Sequence, residues 1–357
     1  MLKKLTIEDF TVFGKAEFEF GMLNVIHGEN ATGKTHLLKL GYLLQRLGVQ
    51  SHAYREVGAG EPPPARPWDE VWLLKAAELV RSAFGPRGNL GDLIRWDAQK
   101  AVVRGWSEAG SAVGFALSAP ARLQPVPEQL AFAPDGSWFS PSVYLPASDV
   151  LSRDPSSEDL TARYHLREDT LGYEVLRLVK LPLLKELSPR IREIVEALSA
   201  TVSGRPAVDD QGGVYFEHAN GHRVGAPLAA QGHLKAAALA LLLQRVELVG
   251  GSLFWDEPEA NLNPVLLKHI AKALIDLAAA GVQVFIATHS LFLTRELDIF
   301  VANHPGKVNA RFFGLSREGD GVAVHQGADL ADAGDLAILD EELKQATEYV
   351  NLSWEGK

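Results

Sequence analysis

The chain of 357 residues is 46% hydrophobic, sets 45 acidic against 35 basic side chains for a formal net charge of -10, and contains no cysteine. That size and apolar content support a buried core in one large or two interlocked domains, and the missing thiols exclude disulfides, thiolate zinc sites and a cysteine nucleophile together. The acidic balance opposes bulk attraction to nucleic acid, so a DNA or RNA contact would need a local basic patch.

The opening segment, MLKKLTIEDF, has lysines but no apolar run behind them, and later apolar runs are broken by charge or too short to span a bilayer. A soluble, cytoplasmic protein with no membrane partner is expected. From Leu2 to Phe20 apolar and polar residues alternate around Gly14, the pattern of two half-buried antiparallel strands. MLNVI, Met22 to Ile26, reads as a buried strand, and a helix is expected from Thr35 onward. The Pro-rich break EPPPARPW, Glu61 to Trp68, reads as a loop or short extended linker. A helix near Val71 to Ala83, a strand from Ala101 (AVVRGW) and a strand from Ser142 to Pro146 follow.

Between Ser156 and Ser203 the apolar spacing turns helical, with Leu171, Val175, Leu178 and Val179, then Ile191, Ile194, Val195 and Leu198. Pro182 and Pro189 interrupt it, which predicts a compact helical lobe and not a long coiled-coil arm. The run from Gly212 reads as a hairpin turning at Asn220-Gly221. An Ala/Leu-rich helix from Gly232 to about Glu247 leads to the strand SLFWD, a helix from Pro264 to Ala280 and the strand VQVFIA. That is the β-α-β rhythm of a parallel sheet. The acidic tail reads as a helix that packs Leu336, Leu339 and Leu343 against the body and leaves its acids in water. The expected division is 1–150, 151–210 for the helical lobe, 211–327, and 328–357 for the tail.

Gly28, Gly33, Lys34 and Thr35 satisfy G-x-x-x-x-G-K-[ST], the P-loop pattern, between a strand and a helix. The spacing has a cause: glycines let backbone N–H groups curl round a phosphate, and the following helix points its positive end at it. Lysine then neutralises terminal phosphate charge, and the hydroxyl ligates Mg2+. LFWDEPEANLNP places two carboxylates where a strand delivers side chains to a ligand crevice. Asp256 would hold the Mg2+ shell and Glu257 would polarise the attacking water. The same acids, with Pro258, would also suit a plain helix start. His289 follows the next apolar strand, and three strand ends in one β-α-β series would converge on one crevice. There His289 can donate to the γ-phosphate.

This set, in this order, resembles the ABC-type ATPase heads of the RecF, SMC and OLD-like group, most closely the OLD-like AAA ATPases of bacterial defence modules. The resemblance covers 2–47 and 212–293 well and the middle loosely. It implies an α/β P-loop NTPase fold, an ABC-ATPase-like head with a mixed sheet, an N-terminal antiparallel β-subdomain and a small helical lobe. It makes Gly28, Glu29, Asn30, Ala31, Thr32, Gly33, Lys34, Thr35 and His36 the ATP-binding loop. Asp256 and Glu257 become the Walker B pair, Ala260 to Pro264 the D-loop and His289 the switch histidine. Thr35 and Asp256 are then the metal ligands, and Lys34, Glu257 and His289 the catalytic set. Such heads form homodimers with ATP between one Walker A loop and the partner's signature motif. That motif is expected to begin with serine, any residue and glycine; here Gly232 is kept and Ala230 replaces the serine. Gln231, His233 or Lys235 would have to supply the missing side-chain donor, and turnover is expected to be slow. In YLPASDV, Ser148 and Asp149 are candidates for the metal-water contact, and Phe13 for the adenine contact.

The leading reading is an ATPase switch coupled to an effector protein encoded nearby, in antiphage defence or a toxin-like module. A RecF-like DNA-repair reading draws on Arg81, Arg87, Arg95, Lys100 and Arg104, with Glu78, Asp92 and Asp97 interspersed. A third reading is a scaffold that holds ATP without turning it over. Ala230 favours it and Glu257 opposes it.

Overall fold

The computed structural model describes residues 1–57, 68–85, 89–118, 122–125, 141–153, 170–202, 204–334, 344–345 and 347–351. The expected Pro-rich linker before Trp68, the residues 154–169 of the expected lobe, Arg87, and the stripe Leu336, Leu339 and Leu343 lie outside them.

Strands β1 (Leu2–Phe10) and β2 (Phe13–Glu19) pair antiparallel, as the alternation predicts. Their turn falls at Thr11 and Val12, with Thr11 at φ 52°, and not at Gly14. Gly14 lies inside β2, where a Cβ would come within 2.5 Å of Arg95 Nη1. On the other edge of β1 come β4 (Lys100–Ser107), β5 (Ala112–Ser118) and β6 (Arg122–Pro125), giving a five-stranded sheet in the order β2-β1-β4-β5-β6.

The central sheet joins β3 (Leu23–Gly28), β7 (Ser142–Leu145), β11 (Ser252–Asp256), β12 (Gln283–Thr288), β13 (Ala310–Glu318) and β14 (Gly321–Gly327). Its six strands run β14-β13-β3-β12-β11-β7, all parallel except β14. Both faces are covered, which is why β3, β11 and β12 are buried along their whole length and read as continuous apolar runs. Along β11, Leu253 and Trp255 enter one core and Phe254 the other. The Phe254 core holds α1 (Lys34–Val57) and the five-stranded sheet, with Phe254 stacked on Phe285 at a centroid distance of 4.4 Å. Removing one such buried ring costs about 3–5 kcal/mol.

The opposite core is built by α3 (Thr170–Val179), α4 (Pro189–Thr201), α5 (Gln231–Leu243), α6 (Pro264–Ala279) and α7 (Leu291–Asn303). Helix α2 (Trp68–Phe84) packs beside α1. Ser188 and Asn263 cap α4 and α6 with Pro189 and Pro264 at their first positions, local signals that start helices there. Strands β8 (Arg205–Val208), β9 (Val214–Glu217) and β10 (Arg223–Gly225) form a separate small sheet. The β9–β10 hairpin differs from the expected two-residue turn. Gly221 N–H bonds His218 O at 2.9 Å and His218 N–H bonds His222 O at 2.9 Å, so Ala219, Asn220 and Gly221 form a three-residue loop. Helix α5 stops at Leu243, four residues short of expectation. Residues 344–345 and 347–351 are helical and exposed. Among the described residues no helix is long and apolar enough to cross a membrane.

Candidate nucleotide-binding site

The sheet brings the ends of β3, β11 and β12 side by side, with Asp256 opposite Ala287 and Thr288 opposite His27. The expected P-loop residues, Asp256, Glu257 and His289 leave from one of those ends or from the segment that follows it. Gly28 takes φ 149°, and a Cβ there would sit 2.2 Å from the Leu315 carbonyl oxygen of β13. Gly33 takes φ 90° with Val12 and Phe13 closing against it. The loop between them is held by its own bonds: Thr32 Oγ1 donates to Glu29 O at 2.8 Å, and Lys34 Nζ donates to Gly28 O and Glu29 O at 2.7 Å each. Glu29, Asn30 and Ala31 are exposed at its crest. Burial pushes the Lys34 pKa down, opposed by the carboxylates of Glu257, Asp256, Glu259 and Glu29.

At the base of the loop Thr35 Oγ1 donates to Asp256 Oδ2 at 2.8 Å, and Tyr144 Oη donates to the same oxygen at 3.3 Å. Asp256 is buried, and its Oδ1 has no hydrogen-bond partner. Burial raises its pKa, and the Glu257 charge adds to that against the bonds from Thr35 and Tyr144. An unpaired carboxylate oxygen beside a threonine hydroxyl is a hard-oxygen donor set that fits Mg2+ sharing its remaining positions with phosphates and water. No group of three or more His, Asp or Glu able to hold a metal occurs among the described residues.

Beyond Asp256 the chain turns sharply. Glu257 is at φ 46° and Asn261 at φ 65°, both left-handed. The Glu257 N–H bonds Ala287 O at 2.8 Å, and its carbonyl accepts from Lys235 Nζ. His289 Nδ1 lies 3.6 Å from Glu257 Oε1 and 3.2 Å from Glu259 Oε1. The same Glu259 oxygen accepts the backbone N–H groups of His289 at 2.8 Å and Ser290 at 3.2 Å. Glu257 and His289 are partly open to solvent, whereas Glu259 is buried and its Oε2 is unpaired. Asp256, Glu257, Thr35, Lys34 and His289 are therefore gathered in one crevice.

Some expectations fail. Lys235 is buried and bonded within its own chain, so it is not a donor for a second chain; Gln231 is exposed and His233 half-buried. Phe13 is wholly buried against Gly33 and Phe18, leaving no ring face for a base. Asp149 spends its oxygens on Leu151 N–H and Ser152 Oγ, and Ser148 Oγ accepts from Arg153. His36 turns away from the loop crest: Nδ1 lies 2.9 Å from Thr11 Oγ1, the ring edges Phe84, and burial with the Lys39 charge lowers its pKa to about 4. At the start of α5, Ala230 is the N-cap and makes no side-chain bond, so the first-turn N–H groups there lack the hydroxyl a serine would add. Of the basic candidates, Arg95 pairs with Asp97 at 2.9 Å, and Arg81 and Lys100 are exposed on separate elements.

Two residues of the site escape sequence reading. Glu259, two positions after Glu257, is legible only as another acid before a helix. Tyr144 reaches Asp256 through the β7–β11 register, for which the sequence carries no local signal.

Residues 126–295 match the protein family described as "AAA domain, putative AbiEii toxin, Type IV TA system". No curated protein sequence matches the chain. Among solved structures, an SmcHead bound to the C-winged helix domain of ScpA is similar with a TM-score of 0.55 at 15% identity, over 93% of this chain and 98% of that one. The Smc head domain with an extended coiled coil bound to the C-terminal domain of ScpA, derived from Pyrococcus furiosus, gives 0.53 at 14% identity, over 98% and 99%. At that identity the likeness establishes the fold alone, that of an Smc head domain.

Proposed function

We propose that this chain, a P-loop ATPase head of the SMC and RecF kind, binds ATP with Mg2+ in the Gly28–Thr35 loop, hydrolyses it slowly, and uses the nucleotide to switch a dimer that acts on a partner protein. The observation that carries the reading is the Thr35–Asp256 bond at 2.8 Å with the second Asp256 oxygen free and Glu257 next in the chain. Thr35 and Asp256 would hold the metal, which when bound draws charge from the β- and γ-phosphates. Loop N–H groups and Lys34 bind the phosphates, Glu257 orients and deprotonates water, and His289 donates to the γ-phosphate. The N-terminus of α5 at Gly232 is the surface offered to the second copy's phosphate.

The family description supports a toxin-like module, and the ScpA-bound heads support a protein partner. The division at 150, 210 and 327 is part of the same reading. The test is the size of the Glu257→Gln protein in solution. Mg-ATP should convert monomer to dimer, and a monomer under both conditions would sink the switch. One observation favours a scaffold with little turnover: the uncapped Ala230 start of α5, whose nearby lysine faces inward. Equal background phosphate release by wild type and Glu257→Gln would select it.

A further inference from the structure

We propose that Lys235 is a positioning residue: it holds the backbone of Glu257 in its left-handed conformation and ties that residue to the first turn of α5 in the same chain. This rests on the reading of Glu257 as the base.

A glutamate at φ 46° occupies a region that residues with a Cβ avoid, and such a conformation persists only where its surroundings over-determine it. Here three bonds do so. The N–H is fixed on Ala287 O of β12, and the carbonyl accepts both the Ala260 N–H at 3.1 Å, within the turn itself, and the Lys235 ammonium, which alone ties it to α5. With both backbone groups pinned from different elements, the side chain is delivered to the crevice mouth beside His289.

Packing does not explain a lysine at this place. Lys235 is 6% exposed, and the residues from Ala236 to Leu243 are all buried and apolar. Leucine would continue that run. A buried ammonium is costly unless it is bonded, and its bond goes to a residue whose backbone is strained.

Lys235 lies three residues after Gly232, less than one helical turn. A Cβ on Gly232 would come within 2.9 Å of Leu262 and 3.0 Å of the Asn261 carbonyl, so α5 begins in close contact with the loop that follows Glu257. The helix start, this loop and the Glu257 carbonyl form one packed block. A phosphate that engages the N-terminus of α5 therefore bears on the backbone of the base in that chain.

The test compares the full chain with Lys235→Met, Lys235→Arg, Glu257→Gln and the Lys235→Met/Glu257→Gln pair. Steady-state phosphate release, mant-ATP binding and hydrogen exchange are measured on each. Lys235→Met should lower kcat by about 10- to 100-fold with KM and mant-ATP affinity within about threefold, because a misplaced base costs turnover and not ground-state binding. Lys235→Arg should keep most of the activity, and Lys235→Met should add no loss to Glu257→Gln. Amides of 256–262 should exchange faster in Lys235→Met while those of 28–35 stay unchanged. A kcat within about twofold of wild type, or a further multiplicative loss in the pair, overturns the proposal. Loss of mant-ATP binding together with turnover makes Lys235 a folding residue and also overturns it. Wild-type hydrolysis by Glu257→Gln would overturn the base assignment instead, and exchange at 256–262 then decides the hold of Lys235 alone.

Discussion

Thr35 Oγ1 donates to Asp256 Oδ2 across 2.8 Å, joining residues 221 apart in the chain at the floor of the crevice. Burial raises the Asp256 pKa from its ordinary 3.8, so the folded state holds that proton more tightly than the unfolded chain. Stability from the protonated form is therefore lost as pH rises from 3.8 through the raised value, and once ionised the half-paired carboxylate burdens the metal-free fold. Mg2+ would relieve it. Asp256→Asn should raise the metal-free Tm by a few degrees, abolish the Tm gain given by Mg-ATP, and lower phosphate release at least about 100-fold. An unchanged response to Mg-ATP would remove Asp256 from the metal site.

His27 is the penultimate residue of β3, is 3% exposed, and has no partner at either ring nitrogen. Burial, and then the Lys34 charge, lowers its pKa from 6.5 to about 4. The unfolded chain binds the proton first as pH falls, so stability is fully present above 6.5 and is lost between 6.5 and about 4. His36 adds a loss of the same sign in the same window. Urea melts should show about 2 kcal/mol or slightly more lost per histidine between pH 7 and 4.5. His27→Leu should flatten the profile by one histidine's share and leave pH 7 stability equal or higher, since an unpaired buried polar group is replaced by an apolar one. An unflattened profile would show that His27 takes a proton in the fold.

The legible parts of the site are those where chemistry needs fixed spacing within one segment. Gly28, Gly33, Lys34 and Thr35 share one turn, and Asp256 and Glu257 share one strand end, so residue order alone announces them. A cation near a helix start is usually solvated, so the sequence offers Lys235 as an outward-facing donor; only the packing of α5 against the Glu257 turn shows its inward direction. Glu259 and Tyr144 act through tertiary register. Strands β5, β13 and β14 escape a reading by pattern: AVGFALS is buried almost throughout and β14 is half-exposed, so neither shows the alternation that marks β1 and β2. The dipeptide Asn220-Gly221 marks the right place but the wrong loop, because Asn220 Oδ1 accepts the His222 N–H at 3.0 Å and lengthens the turn.

Gly28 and Gly225 make a matched pair for backbone constraint. At Gly28, φ is 149° and a Cβ would meet the Leu315 carbonyl oxygen at 2.2 Å, so no side chain fits, and that carbonyl belongs to a strand of the central sheet. Gly28→Ala should cost roughly 1–3 kcal/mol and abolish mant-ATP binding. At Gly225, φ is -64° and the nearest atom would be 3.7 Å away, so Gly225→Ala should change stability by no more than about 0.5 kcal/mol. Retained mant-ATP binding by Gly28→Ala would refute the tight-approach account of the loop.

Glu259 links the turn after β11 to the start of α7. Its Oε1 accepts two backbone N–H groups, from His289 at 2.8 Å and Ser290 at 3.2 Å, and lies 3.2 Å from His289 Nδ1. The backbone bonds fix where His289 leaves the strand, and the ring contact adds charge beside the imidazole. Glu259→Ala deletes both, leaving the His289 N–H without an acceptor while the Ser290 N–H keeps Thr288 Oγ1 at 2.9 Å. Stability should fall by about 1–3 kcal/mol, and kcat by about tenfold or more through displacement of His289. Glu259→Gln keeps an acceptor of the same length and removes only the charge. It should hold the Tm near wild type with kcat within about fivefold, because the two N–H bonds carry the geometry. Thermal melts and phosphate release on both variants separate the contributions. If Gln falls as far as Ala in kcat while keeping its Tm, the charge beside His289 governs turnover. If Ala keeps both, Glu259 has no part in placing the histidine.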